Sequence, residues 1–383
     1  MNILICPDKF KECITAGKVA AHICNGIMKV FPGAACRVIP MADGGEGTVE
    51  ALVEATKGRI ESVLVHDPLM RQISSFFGVS GDGKTAFIEM AAASGLELLK
   101  SEERNPLVTT SYGTGELIRF AFDKGCSEII LGIGGSATVD GGVGMAQALG
   151  ISFTDAAGNE IGPGGSNVGS IYHIDFSTVD SLLATCKIYA ACDVTNLLTG
   201  PDGAAYVYGP QKGANMAMVK LLDDNLLHLS RIIIELLHID IGKLQGGGAA
   251  GGMGAGIAAF LNGELKQGFE LISQIVKLEY WIGWADLVIT GEGRMDFQTA
   301  FGKTPAGVAR MANRLNKPAI AFTGSLGEGT DKVQDLGFAA VIPIADKPMS
   351  LEQSMADAGR LLENAAERTF RIMDLGKVLK RRF

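Results

Sequence analysis

The chain has 383 residues, of which 47% are hydrophobic, 20% charged and 7% aromatic. This composition excludes a disordered chain, a collagen-like chain and a mini-protein, and it can fill one large core or two ordinary ones. The 34 Lys and Arg against 42 Asp and Glu give a formal net charge of -8 without a long basic run, so no nucleic-acid partner is expected.

The first sixty residues alternate between strand and helix patterns. Apolar runs predict strands at 2–6 and 36–40, and helices follow them, one capped near Thr15 and one over 46–57. The last hundred residues repeat this alternation, with predicted strands at 285–290, 318–322 and 339–344 and helices beginning at Pro305 and near Leu351. Such alternation predicts a doubly wound parallel sheet.

The middle of the chain has a different pattern. Strand-like runs at 60–65, 73–79 and 85–89 predict antiparallel strands linked by hairpins. A helix over about 114–124 and a buried parallel strand at 128–131 come next, and we assign both to the doubly wound sheet.

The predicted fold is therefore α/β with two α/β domains. A discontinuous Rossmann-like or flavodoxin-like doubly wound domain is expected from residues 1–60, 95–135 and 284–383. An inserted mixed α/β domain is expected from residues 61–94 and 136–283.

Targeting and membrane signals are weak in this sequence. Residues 244–263 carry no charge, but eight of these twenty residues are Gly, which favours a packed loop and helix over a membrane span. The seven Cys form no CxxC pair, and the first residues lack the zones of a signal peptide. We expect reduced thiols, a cytoplasmic location and no membrane partner, and leave open whether the chain forms a homo-oligomer.

Two segments formally match nucleotide-binding motifs. Residues 78–85 fit the Walker A pattern, but strand-like runs on both sides favour the turn of a hairpin. Residues 132–137 fit GxGxxA after a strand, with Asp155 about twenty residues later, as in a dinucleotide fingerprint. With 51 Gly in the chain this short pattern is expected by chance, although a bare loop after a strand still suits phosphate.

Carboxylates stand beside glycines in three segments, 43–48, 140–142 and 291–296. Each of these acids can be a turn or a helix cap. The first and third follow predicted parallel strands, however, and the carboxyl ends of such strands form the ligand-binding edge of a doubly wound sheet.

Asp193 and Lys212 form another candidate pair. Asp193 follows the strand-like run 187–191, and Lys212 lies in the segment GPQKG. They can flank a phosphate or a metal, or they can be a strand-end cap and an exposed lysine.

The absent motifs narrow the chemistry. The sequence has no HExxH, no CxxC pair and no GxSxG, and its five His show no ligand spacing. Zinc hydrolases and serine esterases are therefore not supported. Carboxylate oxygens suit Mg²⁺, which enters with substrate phosphates, so phosphoryl transfer is favoured.

Nine long segments, in order, resemble the bacterial glycerate 2-kinase family over essentially the whole chain. They are PDKFKE (7–12), PMADGGEGTVEA (40–51), GDGKTAFIEMAAASGLEL (81–98), NPLVTTSYGTGEL (105–117), GIGGSATVDGGVGM (132–145), CDVTNLLTGPDGA (192–204), GPQKGA (209–214), GGGAAGGMGAG (246–256) and DLVITGEGRMDFQTAFGKTPAGVA (286–309). The resemblance implies transfer of the ATP γ-phosphoryl group to D-glycerate with Mg²⁺, giving 2-phosphoglycerate and ADP. It also implies that the Walker-like segment is no nucleotide loop. Other interpretations remain, namely a 3-phosphoglycerate product, an NAD-dependent hydroxy-acid dehydrogenase and a non-enzymatic sensor.

The candidate site residues fall into four groups. Those expected to line the ATP phosphates are Gly132, Gly134, Gly135, Ser136, Gly291, Glu292 and Gly293. Those expected to bind glycerate are Asp8, Lys11, Asp43, Gly44, Gly45 and Glu46. The candidate Mg²⁺ ligands are Asp43 and Asp193. For catalysis we predict Asp193 as the base, Asp296 as a second candidate base, and Arg294 and Lys212 as the groups that neutralise the substrate carboxylate or the transferred phosphoryl group.

Overall fold

A computed structural model describes the chain in the ranges 1–179, 183, 185–296, 299, 303–329 and 335–380, without the side chains of 377–380. By its internal contacts the chain divides into two compact units. The first unit contains Met1–Asp43 and Phe269–Phe383, and the second contains Gly44–Gly268.

The strands of the described residues are β1 (Asn2–Ile5), β2 (Ala35–Val38), β3 (Arg59–His66), β4 (Gln72–Val79), β5 (Thr85–Glu89), β6 (Glu128–Gly132), β7 (Ser152–Thr154), β8 (His173–Asp175), β9 (Lys187–Ala191), β10 (Glu264–Lys266), β11 (Leu287–Met295), β12 (Ala319–Leu326) and β13 (Phe338–Pro343). The α-helices are α1 (Ala16–Val30), α2 (Thr48–Thr56), α3 (Ala91–Ser94), α4 (Tyr112–Asp123), α5 (Val143–Ala148), α6 (Ala204–Tyr208), α7 (Met216–Leu237), α8 (Ala249–Leu261), α9 (Gly268–Ile275), α10 (Leu278–Trp284), α11 (Thr304–Arg314), α12 (Leu351–Ala356) and α13 (Ala358–Lys380).

The first unit is built on a five-stranded parallel sheet in the order β13-β12-β11-β1-β2. Numbered within the unit, this is the 2-1-3-4-5 order of flavodoxin-like folds, which bind ligands where the strand order reverses, here at the carboxyl ends of β1 and β11. Apolar runs such as Ile3–Ile5 are completely buried, as parallel strands require. Gly26 lets α1 and α13 cross closely, because a Cβ there would lie 2.2 Å from the Glu363 carbonyl oxygen.

The second unit is built on a six-stranded mixed sheet in the order β10-β9-β6-β5-β4-β3. The four strands β10, β9, β6 and β5 are parallel, and the hairpin strands β4 and β3 continue the sheet antiparallel. The α/β class and the mixed character of the inserted domain are therefore as predicted.

The domain assignment of several segments differs from the sequence prediction. The strand predicted at 128–131 was expected in the doubly wound sheet, but β6 is hydrogen-bonded between β5 and β9. Residues 44–60, with α2, and 95–127, with α4, likewise belong to the second unit, and 269–283 belong to the first unit. A Cβ on Gly78 of β4 would lie 2.5 Å from Val53 Cγ2 of α2. A buried parallel strand has the same apolar run in either sheet, so its pattern does not identify its partners.

The Walker-like segment is a hairpin turn, as predicted. The Ser80 N–H donates to the Thr85 carbonyl oxygen at 2.9 Å, and the Asp82 carboxylate accepts from the Ser80 hydroxyl at 2.6 Å. Thr85 then begins β5 rather than a helix. The phosphate site of a Walker A loop needs a helix N-terminus at this point, so Lys84 has no such role.

The uncharged segment 244–263 is a tightly packed loop and helix. Ala250, Gly251 and Gly252 adopt left-handed conformations at a kink in α8, and a Cβ on Gly251 would lie 1.9 Å from the Thr138 carbonyl oxygen. Glycine therefore lets this backbone pack directly against the loop after β6. In the part of the chain that the structure describes, no helix is long and apolar enough to cross a membrane.

Candidate active site

In the second unit, two glycine-containing segments, 44–46 and 132–136, meet at the carboxyl ends of β6 and β9. Gly132 and Ala191 are register partners at the ends of these strands. A Cβ on Gly132 would lie 2.3 Å from the Gly44 carbonyl oxygen, and one on Gly44 would lie 2.4 Å from the Ala191 Cβ. Gly45 packs against Gly134, since a Cβ on Gly134 would be 3.5 Å from the Gly45 Cα. Segments 44–46 and 132–136 thus pack against each other and form one cluster.

Lys212 belongs to the same cluster, but it is not the exposed lysine that sequence reasoning left open. Its side chain is only 1% exposed, and its Nζ donates to the Ser136 hydroxyl and to the Thr138 carbonyl oxygen, both at 2.7 Å. Burial lowers the pKa of Lys212 to about 7, while the charge of Asp140 acts in the opposite direction.

Two acids of the second unit have different environments. Asp193 follows β9, and its Oδ1 accepts from the Gly268 N–H at 2.8 Å. Asp140 is 1% exposed and accepts from the Ser111 N–H, from the Ser111 hydroxyl and from the Gly142 N–H. Burial raises the pKa of Asp140, and these hydrogen bonds oppose the increase. Asp140 therefore anchors its loop, which is the cap interpretation of the segment 140–142.

In the first unit, acidic groups gather beside the carboxyl end of β1. The segment 291–295, which was predicted to follow a strand, is instead the second half of β11, and Glu292 lies within that strand. The Asp8 N–H donates to the Gly291 carbonyl oxygen at 2.9 Å, which brings the loop after β1 beside Glu292. Burial raises the pKa of Asp8 to about 7, and the charges of Asp43 and Glu292 act in the same direction. These three carboxylates thus interact at the reversal point of the strand order.

Glu292 is fixed by residues that sequence reasoning missed. It is 8% exposed, accepts from the Thr299 hydroxyl at 2.6 Å, and lies 3.6 Å from Lys303 Nζ. Burial raises the pKa of Glu292, whereas Thr299 and Lys303 both act to lower it. The segment GKTP, which places a lysine at the start of α11, was the available signal for Lys303.

The remaining predicted residues lie around these two clusters. Arg294 is mostly exposed, and its Nε lies 3.2 Å from Asp296 Oδ2. Gly293 packs against the backbone at Lys11, since a Cβ there would lie 3.5 Å from the Lys11 nitrogen. Asp43 and Glu46 are exposed. Asp43 belongs to the first unit, whereas Asp193 belongs to the second. Residues 297, 298 and 300–302 of the segment 286–309 lie outside the described residues.

The acidic cluster of the first unit fits Mg²⁺ through its donor chemistry. Among the described residues no three His, Cys, Asp or Glu side chains are arranged to hold a metal ion. Mg²⁺ keeps several waters, however, and needs only one or two carboxylates together with substrate phosphates. The mutual repulsion of Asp8 and Asp43 is relieved by a cation, so these two carboxylates satisfy that smaller requirement.

Asp155 does not lie in either cluster. Its carboxylate accepts from the backbone N–H groups of Ala157 and Asn159, at 2.9 Å each, within a local turn. The acidic residue of a dinucleotide fingerprint binds a ribose, so this turn removes the main support for NAD.

Comparison with known proteins identifies the family. The sequence model of the glycerate kinase family matches residues 3–374. The chain belongs to the glycerate kinase family. It is 50% identical to the glycerate 2-kinase of Escherichia coli (strain K12), covering 94% of each chain, and 49% identical to the glycerate kinase of Halalkalibacterium halodurans, covering 95% of this chain and 96% of the relative. A crystal structure described as glycerate kinase 2 of Salmonella typhimurium LT2 matches with a TM-score of 0.92 and 48% identity, covering 98% of this chain and 99% of the other.

The close packing of Gly132 predicts a measurable cost for a single methyl group. We expect Gly132→Ala to lower the free energy of unfolding by about 1–3 kcal/mol, because its Cβ would overlap the Gly44 carbonyl oxygen. Gly134→Ala in the same loop is the matched control, since its Cβ would make an ordinary contact at 3.5 Å. Urea denaturation followed by circular dichroism measures both. Equal effects of the two substitutions would contradict the packing of segment 44–46 against Gly132.

Proposed function

We propose that this protein is an ATP-dependent glycerate 2-kinase, which converts D-glycerate and ATP into 2-phospho-D-glycerate and ADP. The main support is its membership of the glycerate kinase family over residues 3–374, with a relative named glycerate 2-kinase at 50% identity. Gly132 ends β6, and Asp8 and Asp43 follow β1 and β2, at the strand ends where α/β proteins bind ligands. Gly291–Gly293, in contrast, lie within β11. We also propose that the protein works in the cytoplasm.

The residues proposed to bind the ATP phosphates are Gly132, Gly134, Gly135 and Ser136 in the second unit, and Gly291, Glu292 and Gly293 in the first unit. A loop after a strand offers backbone N–H groups to an anion, and small residues let the phosphate approach them closely. Binding by backbone N–H groups suits a chain of net charge -8, in which acidic side chains outnumber basic ones. The location of Gly132 at the end of β6 supports this role.

The proposed Mg²⁺ ligand of the first unit is Asp43, with Asp8 beside it. When bound, Mg²⁺ neutralises charge on the transferred phosphoryl group. The charges of Asp43 and Glu292 beside Asp8 support a cation at this position, because neighbouring carboxylates are stabilised by one. Asp8, Lys11, Gly44, Gly45 and Glu46 are proposed to bind glycerate, where N–H groups and Lys11 suit its carboxylate and the acids suit its hydroxyls.

In the proposed reaction the glycerate hydroxyl oxygen bonds to the γ-phosphorus while the bond to the β–γ bridging oxygen breaks. The hydroxyl proton passes to the Asp193 carboxylate, and ADP leaves. The proposed role of Asp193 as the base is supported by its position after β9 and by the Gly268 N–H, which fixes one carboxylate oxygen. Asp296 is the second candidate base, and its ion pair with Arg294 also supports a role in orienting that arginine. Arg294, which is largely exposed, is proposed to form an ion pair with the substrate carboxylate or with the transferred phosphoryl group.

Glycerate-dependent release of ADP tests the proposed function. We expect ADP with D-glycerate and ATP, none without glycerate, and no change in NAD absorbance. Phosphorus NMR against both phosphoglycerates then identifies the hydroxyl that is phosphorylated. A 3-phosphoglycerate product would replace the 2-kinase assignment, and the absence of glycerate-dependent ADP would reject a glycerate kinase altogether.

A further inference from the structure

Lys212 is held in an unusual position for a lysine. It ends a short turn, Pro210–Lys212, whose flanking glycines pack against backbone: a Cβ on Gly209 would lie 2.3 Å from the Ala205 carbonyl oxygen, and one on Gly213 would lie 2.1 Å from that of Arg104. Gly213 also has a φ of +93°. The turn is therefore fixed, and it directs a completely buried side chain to the loop after β6.

The contacts of Lys212 do not account for the burial of a cation on grounds of stability. Its two hydrogen-bond acceptors, the Ser136 hydroxyl and the Thr138 carbonyl oxygen, are both neutral. The Thr138 hydroxyl is also buried and has no hydrogen-bond partner among the described residues. The charge of Asp140 favours the charged lysine, but the effect of burial is larger. An apolar side chain of similar volume is often equally stable or better in such a position.

We propose that Lys212 is the positioning residue of the phosphate-binding loop. Its Nζ, by donating to both residues, holds Ser136 and Thr138 together, and so keeps the backbone of residues 132–136 in the conformation that binds the nucleotide phosphates. This inference rests on the proposed kinase function, and it assigns to Lys212 an action through Ser136 in place of a contact with the phosphoryl group or with glycerate. The loop would thus owe its shape to a residue 76 positions away in sequence.

Three variants separate this role from a purely structural one. We expect Lys212→Met to raise the KM for ATP about 10-fold or more, with a smaller change in kcat and no change in the KM for glycerate. Lys212→Arg, which keeps the charge and the donors, is expected to recover part of the ATP affinity. Lys84→Met, at the exposed lysine of the β4–β5 turn, is the matched control and should equal the wild type. An unchanged KM for ATP in Lys212→Met would overturn the proposal, and so would an increase in the KM for glycerate alone.

A double-mutant cycle with Ser136→Ala tests whether Lys212 acts through Ser136. If it does, Ser136→Ala lowers kcat/KM for ATP in the wild type but changes it less than about 2-fold in the Lys212→Met background. If the two substitutions instead lower kcat/KM for ATP by independent factors that multiply, Lys212 acts elsewhere and the proposal is overturned. Should Lys212→Met fail to fold, the same cycle with Lys212→Arg gives the answer.

Calorimetric titration with ADP separates this inference from the proposed function, because binding needs no turnover. Weaker ADP binding by Lys212→Met supports the positioning role whatever the acceptor substrate is. Equal ADP binding by wild type and Lys212→Met overturns it even if the wild type phosphorylates glycerate. If the wild type shows no glycerate-dependent release of ADP, the kinase assignment is rejected instead.

Discussion

Asp193→Asn is expected to lower kcat for glycerate phosphorylation by about 10²-fold or more, with little change in the KM for either substrate. Asn keeps the size of the side chain and can still accept the Gly268 N–H through its amide oxygen, so the loop after β9 should keep its shape. What the substitution removes is the negative charge and the proton acceptor. A group that acts in the transition state lowers kcat when it is lost, and losses of this size are typical of single catalytic groups.

Matched Asp→Asn variants control this experiment. Asp296→Asn tests the second candidate base, and a smaller loss is expected there because Asp296 pairs with Arg294. Asp155→Asn should leave kcat unchanged, since Asp155 only closes a local turn. Near-normal kcat in both Asp193→Asn and Asp296→Asn would reject both base assignments.

The Mg²⁺ dependence of Asp193→Asn distinguishes a base from a metal ligand. A base leaves the Mg²⁺ concentration for half-maximal activity unchanged, whereas the loss of a ligand raises it several-fold. Asp43→Asn gives the reference response for the proposed metal ligand of the first unit. If Asp193→Asn shows the same rise as Asp43→Asn, Asp193 is a ligand and the base must be sought elsewhere.

Local sequence patterns predicted most elements of the fold, but not which sheet each strand joins. The strands around residues 60–89 and the helix over about 114–124 agree with β3, β4, β5 and α4 within a few residues. The sheet that contains β6 was predicted wrongly, because its neighbours β5 and β9 lie about 40 to 60 residues away in the sequence. The single helix predicted from Leu351 is divided into α12 and α13 at Asp357, two residues before Gly359.

The glycines occur in two structural settings, which the sequence alone could not separate. Gly44 has a φ of +92° and lies against Ala191 in the candidate site. Gly254 and Gly256 of α8, by contrast, face carbonyl oxygens at 2.3 and 2.4 Å from their would-be Cβ positions, so they serve packing of the core. Both kinds occur in runs of the same composition, and only the tertiary contacts distinguish a ligand loop from a close backbone crossing.

The burial of Lys212 could not be predicted either, since nothing in GPQKG differs from a surface turn. Burial nevertheless predicts how the stability of the protein depends on pH. In the unfolded chain Lys212 titrates near its ordinary pKa of 10.5, and folding lowers this pKa to about 7. Below pH 7 the lysine is charged in both states, and the folded protein bears the full cost of burying the charge.

Lys212→Met is therefore expected to change the pH dependence of stability more than any other substitution considered. Above pH 7 the folded protein has released a proton that the unfolded chain still binds, so each further pH unit up to about 10 adds about 1.4 kcal/mol to the free energy of unfolding. Between pH 6 and pH 9 the wild type should gain about 3 kcal/mol over Lys212→Met, because methionine has no proton to release. The lost hydrogen bonds to Ser136 and Thr138 lower the stability of the variant by the same amount at each pH and do not affect this difference. Urea denaturation of both proteins at several pH values measures it, with Lys84→Met expected to follow the wild type. Parallel curves for wild type and Lys212→Met would mean that Lys212 keeps an ordinary pKa, and that its ammonium group is stabilised where it lies.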